Sequence, residues 1–214
     1  MADVVEQLTV IAESARPALD AVDAARESAY RLQRDVTRAA ASTIRALHRR
    51  ELAEAESLLG QARMLCDAMN AAARPAPSVA CSGFVLDAQK EYAEAALLAA
   101  VVTDAVVPTP EQLGIDPAAW LNGLAEAGGE LRRFVLDELQ AGRFAQARAT
   151  LGALTGLYDL LVTFDYPDAV IYGLKRRLDM VRAAVERTTG DVATTLREAA
   201  LTAALERVEV ALRG

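Results

Sequence analysis

The chain has 214 residues, 53 % hydrophobic, 5 % aromatic and 25 % charged, with a formal net charge of −7 at pH 7. The hydrophobic share excludes a disordered chain, and the acidic balance excludes a generic polyanion binder with an overall basic surface. Any nucleic-acid contact therefore has to come from local Arg and Lys clusters or from bound cations.

The length suits one substantial core, so a single domain over residues 1–214 is expected. Alanine supplies much of the apolar content; small side chains let helices approach closely, which favours a bundle over a sheet. Cys66 and Cys81 fit neither a disulfide framework nor a zinc quartet, and their apolar neighbours predict two buried free thiols. The stretch up to Glu13 has three acids and no basic region, unlike a signal peptide. The longest apolar run, Ala95 to Val102, is far below the roughly 20 residues of a membrane span. No membrane partner and a cytoplasmic location are expected.

In chain order, apolar positions from Leu8 to Leu47 recur at spacings of three and four. They predict one very long helix, kinked or restarted near Pro17. A second helix is expected from Leu52 to Met69, stopped by Pro75 and Pro77, and a third from Val79 to Val106, stopped by Pro108. Thr109-Pro-Glu-Gln112 reads as a capping box opening a short turn, and Asp116-Pro117 starts a fourth helix to about Gln140. A fifth runs from Phe144 to about Thr163, followed by the connector Asp165-Tyr-Pro-Asp168. A sixth is expected from Ala169 to Arg187, a stop and cap at Gly190-Asp191, and a seventh from Val192 to Leu212. No stretch alternates with the period of a strand. The expected fold is all-α, a seven-helix antiparallel bundle.

A single histidine, His48, excludes a di-iron bundle built on two Glu-x-x-His motifs. It lies in Arg45-Ala-Leu-His48-Arg49-Arg50, which either complements a helix C-terminal dipole or contacts phosphate. No Gly-rich phosphate loop and no nucleophile elbow are present. Carboxylate chemistry remains. At about 100° per residue, Asp87, Glu91 and Glu94 fall within roughly 60° of one another, and Glu126 and Glu130 also share a face. Gly123, Gly128 and Gly129 cluster beside that second pair, where glycine is disfavoured unless a helix or a substrate backbone comes close. Oxygen ligands without nitrogen or sulfur suit Mg²⁺ or Mn²⁺, a common arrangement for phosphodiester hydrolysis. Chance supplies acidic pairs at these spacings too, as at Glu51, Glu54 and Glu56, so spacing leaves both a metal site and a solvated face open.

At these residues the chain resembles the translin superfamily, in particular its branch of translin-associated factor X. The resemblance is carried by Gln89-Lys-Glu91-Tyr-Ala-Glu94-Ala95, by Leu121-Asn-Gly-Leu-Ala-Glu126-Ala-Gly-Gly-Glu130-Leu-Arg-Arg and by Phe164-Asp-Tyr-Pro-Asp168-Ala. Leu174-Lys-Arg-Arg-Leu-Asp-Met-Val-Arg and Val185-Glu-Arg-Thr-Thr-Gly-Asp-Val192 extend it, so that it spans most of the chain from about Asp20. It implies a seven-helix bundle and a metal-dependent endoribonuclease acting on single-stranded RNA. The alternative is a non-catalytic binder of single-stranded DNA or RNA, like translin itself.

By the same resemblance, the catalytic Glu-x-x-Glu pair falls on Glu91 and Glu94, the third catalytic acid on Glu126 and a metal-contacting acid on Glu130. The family usually has Asp where this chain has Glu126, and the extra methylene shifts the carboxylate by about 1 Å, enough to affect a preorganised site. Glu94 and Glu130 are then expected to hold Mg²⁺ or Mn²⁺, while Glu91 and Glu126 orient or deprotonate water. The resemblance further implies a closed, hollow homo-octamer with inward-facing sites. Arg45, Arg49, Arg50, Lys175, Arg176 and Arg177 are the candidates for RNA contact, although Lys175 to Arg177 can equally form a solvated helix face. Tyr92 is either packed or available for base stacking.

Overall fold

The structure, a computed structural model, describes residues 2–213. Among them there is no strand. The helices are α1 (Ala2–His48), α2 (Leu52–Ala73), α3 (Pro77–Ala80), α4 (Gly83–Val102), α5 (Pro110–Leu113), α6 (Pro117–Gln140), α7 (Phe144–Leu161), α8 (Asp168–Ile171) and α9 (Leu174–Arg213). The expected all-helical fold is present, with six long helices and three of a single turn among the described residues. None of them is long and apolar enough to cross a membrane. The chain groups into two compact units, residues 2–96 with 108–120 and residues 97–107 with 121–213.

In the first unit, α1 and α2 are joined by a connection of three residues and pack along their length. The buried face of α1 is built from Ala25, Ala29, Val36, Ala39, Ala40 and Leu47, that of α2 from Ala55, Ala62, Cys66, Met69 and Ala73. The ring of Tyr30 meets Phe84 of α4 edge-on at 5.4 Å, with the guanidinium groups of Arg26 and Arg34 over its faces. The expected restart at Pro17 does not occur, and α1 is one continuous helix from Ala2 to His48. Proline removes one donor, and at this exposed position water can satisfy the carbonyl that loses its partner.

The capping box at Thr109 is formed as expected. The Thr109 hydroxyl accepts from the Gln112 backbone at 3.2 Å, and the Gln112 side chain accepts from the Thr109 N–H at 2.9 Å. The Asp116 carboxylate likewise accepts from the Ala118 N–H at 2.7 Å. Cys66 is buried, which pushes its thiol up to about 12. Cys81 departs from expectation and is exposed. It follows the single turn of α3, where its N–H closes back on Pro77 and the chain turns at the surface before α4. That turn also divides the helix expected from Val79 to Val106.

In the second unit, α7 packs on α9, and Val135 and Leu139 of α6 join Ala147 and Val192 in one apolar cluster. The expected stop at Gly190 is absent: α9 is continuous from Leu174 to Arg213. One interior glycine costs about 1 kcal/mol, too little to end a helix held by packing. Asp191 caps nothing there and instead accepts from Arg132 at 2.9 Å, alongside Thr188 at 2.8 Å. The actual break lies earlier, at Tyr172 and Gly173, which both adopt left-handed φ of 49° and 77°.

Gly128 and Gly129 of α6 differ in their surroundings. A Cβ on Gly128 would stand 3.3 Å from Leu154 and 3.4 Å from Val181, so this glycine admits the side chains of α7 and α9, whereas a Cβ on Gly129 would meet nothing within 4 Å. Gly128→Val is therefore expected to destabilise the protein by about 1–3 kcal/mol through overpacking. Gly129→Ala is expected to stabilise it by up to about 1 kcal/mol through helix propensity alone. Urea unfolding of both variants checks this, and equal effects would contradict the packing described.

Candidate functional site

The first pair of acids is carried by α4, whose rotational setting is fixed by the side-chain amides of Gln89 and Asn70. Gln89, 7 % exposed, donates to the Asn70 carbonyl oxygen of α2 at 2.9 Å and accepts from the Asp116 N–H at 3.0 Å. Asn70 in turn donates to the Gly114 carbonyl at 2.9 Å. A buried amide left without partners is costly, so these bonds specify one register for α4 against α2 and the turn before α6.

With α4 so set, Tyr92, Ala93, Ala95 and Ala96 point into the core. Tyr92 is 2 % exposed and burial pushes its phenol up to about 12, which makes it a packing residue and not a stacking platform. Glu94 is 7 % exposed, an uncommon place for a carboxylate, which must there be matched by hydrogen bonds or positive charge. Glu91 lies one turn earlier, partly exposed, with the Lys90 ammonium 2.9 Å from its carboxylate. Helical spacing does not put adjacent residues face to face, so this lysine gives no signal in the sequence. Asp87 is exposed.

The second pair, Glu126 and Glu130, lies one turn apart on α6, both partly buried. Arg177 Nε donates to Glu126 Oε1 at 2.8 Å. Arg177 Nη1 donates to the Asn122 side-chain oxygen at 3.0 Å and to the Tyr172 carbonyl at 3.1 Å. Asn122, 2 % exposed, uses its amide group to donate to the Ile171 carbonyl at 2.8 Å. Neither Asn122 nor the pairing of Arg177 with Glu126 is visible in the sequence, because the partners are separated by 51 residues and no local period connects them.

Of the basic candidates, Arg45, Arg49 and Arg50 are exposed at the end of α1, where Arg45 and His48 occupy the last turn. Arg49 donates to Glu51 and to Glu54, the latter at 3.2 Å, and holds the Glu51 carboxyl below its ordinary range. Lys175 and Arg176 are exposed at the start of α9, with Lys175 bonded to Asp165 at 3.1 Å. Arg177, their neighbour in sequence, turns instead to α6.

No family model matches the chain. The uncharacterized protein MJ0175 of Methanocaldococcus jannaschii is 30 % identical over 192 residues, 89 % of this chain and 85 % of that protein. Among solved structures, AfC3PO in complex with duplex RNA matches with a TM-score of 0.81 and 32 % identity, over 87 % of this chain and 96 % of that one. The crystal structure of AfC3PO matches with a TM-score of 0.80 and 32 % identity, over 87 % and 97 % of the two chains. Apo-NeC3PO, at 21 % identity and a TM-score of 0.71 over 88 % and 96 %, shows the same fold. Sequence and fold thus agree that this chain belongs to the translin superfamily, alongside the C3PO proteins.

Proposed function

We propose that this protein is a metal-dependent endoribonuclease acting on single-stranded RNA. The observation that carries this reading is the carboxylate pair of α4, where the buried Glu94 stands one turn from the partly exposed Glu91 on the same helix. All the donors are hard oxygens, which fits Mg²⁺ or Mn²⁺ and not a soft metal. Membership of the superfamily points the same way, and the RNA complex of AfC3PO makes RNA the favoured class of ligand.

Glu94 is also among the metal ligands expected from the sequence, which paired it with Glu130. The cation supplies Lewis acidity, lowering the pKa of a bound water and offsetting phosphate charge. Glu91 and Glu126 orient or deprotonate the attacking water. The burial of Glu94 strengthens its electrostatic pull relative to a carboxylate in bulk water. Arg45, Arg49, Arg50, Lys175 and Arg176 track the phosphate backbone, which reconciles RNA binding with a net charge of −7.

Labelled single-stranded RNA should be cut in Mn²⁺ or Mg²⁺ and left whole in chelator. Glu91→Ala/Glu94→Ala, and separately Glu126→Ala, should each lower the rate by about 100-fold or more at unchanged melting temperature. Cleavage by the variants at the wild-type rate sinks the assignment. Binding that persists in chelator with no product would identify the translin-like, non-catalytic alternative. A duplex competitor run in parallel tests the preference for single strands.

Neutralising Arg45, Arg49 and Arg50 to Gln should flatten the salt dependence of RNA binding, by about 0.7 in slope per lost phosphate contact. An unchanged slope would remove these residues from the interface.

We also propose that the protein assembles as a hollow homo-octamer. Val4, Leu8, Ile11 and Leu19 on the first half of α1 are each more than half exposed, as are Leu201, Leu205, Val208 and Leu212 on the last half of α9. Apolar residues recurring along exposed helices mark faces that other chains cover. Native mass spectrometry should give eight times the 22.8 kDa chain mass, and a mass of one chain would overturn the assembly.

A further inference from the structure

We propose that Arg177 is the positioning residue of Glu126 and not a contact to RNA. The catalytic consequence rests on the nuclease reading above; the positioning itself stands on the geometry of the second unit.

Lys175, Arg176 and Arg177 look like one basic run, but helical phase separates them: the first two are exposed, and the Arg177 side chain is only 21 % exposed. Its guanidinium is held by three acceptors at 2.8–3.1 Å, the Glu126 carboxylate, the Asn122 side chain and the Tyr172 carbonyl. A rigid fork of donors anchored at several points has one orientation. A phosphate could engage the Nε and Nη1 edge only by displacing these bonds.

The surroundings are built to maintain that orientation. Asn122 is buried with its amide anchored on the Ile171 carbonyl, so the oxygen it offers to Arg177 is fixed in direction. The corner between α8 and α9 presents the carbonyls of Ile171 and Tyr172 to these two side chains. It does so through left-handed φ at Tyr172, a conformation disfavoured for any residue with a Cβ, and at Gly173. A Cβ on Gly173 would itself stand 3.4 Å from Arg177 Nη1. The sequence Phe164-Asp-Tyr-Pro-Asp168, which holds none of the proposed catalytic acids, leads into this corner, and α8 forms as Tyr172 N–H closes on the Asp168 carbonyl at 2.8 Å.

The contact with Glu126 runs through one oxygen, Oε1. A carboxylate offers about four lone-pair sites, so Arg177 can hold the side chain in one rotamer while the group still has the capacity to act on a cation or a water. A glutamate has one more rotatable bond than an aspartate, and this contact keeps that longer acid in a defined position.

Crystal structures and steady-state kinetics of Arg177→Met and Arg177→Lys test the proposal. In Arg177→Met the Glu126 carboxylate should move by more than about 1 Å or spread over rotamers while the α6 backbone stays in place. Displacement of that size should lower kcat by about 100-fold, with KM for RNA near the wild-type value and partial recovery in Arg177→Lys. A Glu126 side chain that does not move overturns the proposal, as does a raised KM at unchanged kcat, which would return Arg177 to the RNA interface. If the wild-type protein cleaves no RNA, the nuclease reading falls and the two structures alone decide the role of Arg177. Should Arg177→Met fail to fold, Arg177→Lys, which keeps the charge but loses the fork geometry, is read by the same criteria.

Discussion

Helix faces made of alanine are useful only if neighbouring backbones come close, and that requirement governs this protein. The buried stripes of α1 and α2 are mostly alanine, and α6 admits Leu154 and Val181 at Gly128, where any Cβ would be crowded. Each such contact is small, and stability comes from many of them at short range. Aromatics are only 5 % of the chain, so the larger buried side chains are mostly leucines, whose contacts carry little directional preference. Something else has to set how each helix is rotated and where it stops along its neighbour.

Buried and half-buried polar groups supply that setting. Gln89 and Asn70 tie α4 to α2 and to the turn before α6. Asn122 and Arg177 tie α6 to the corner before α9, and Arg132 bridges α6 to Thr188 and Asp191 further along α9. Apolar contacts between small residues tolerate a slide or a rotation, whereas a buried amide or guanidinium does not, because a lost partner costs more than the bond itself contributes. Two of these anchors lie within one helical turn of an acid on the candidate site: Gln89 beside Glu91, and Asn122 beside Glu126. The groups that specify the packing thus lie on the same helices as the proposed catalytic carboxylates, which ties the proposed chemistry to the accuracy of the fold.

Much of the architecture was legible in the sequence. The spacing of apolar residues located the long helices, and the capping box at Thr109 and the start at Asp116-Pro117 formed as their side-chain chemistry requires. The misreadings share one cause. Local propensity predicts a restart at Pro17 and a stop at Gly190, yet both lie inside continuous helices, because a penalty confined to one residue is outweighed by the turns on either side. Cys81 was assigned to the interior from its apolar neighbours, yet the turn after α3 leaves it exposed.

What the sequence by itself determined was whatever depends on residues within a turn or two of one another. That covers the helical class, the caps, the shared face of Glu91 and Glu94, the shared face of Glu126 and Glu130, and the order of motifs that marks the superfamily. Only the tertiary structure decided that Arg177 turns to Glu126 while Lys175 and Arg176 stay exposed, that Asn122 is buried between them and the Ile171 carbonyl, and that the chain breaks at Tyr172 and Gly173. The reason is physical: a hydrogen bond across 51 residues leaves no periodic trace, and its partners are chosen by which surfaces the packed helices bring together.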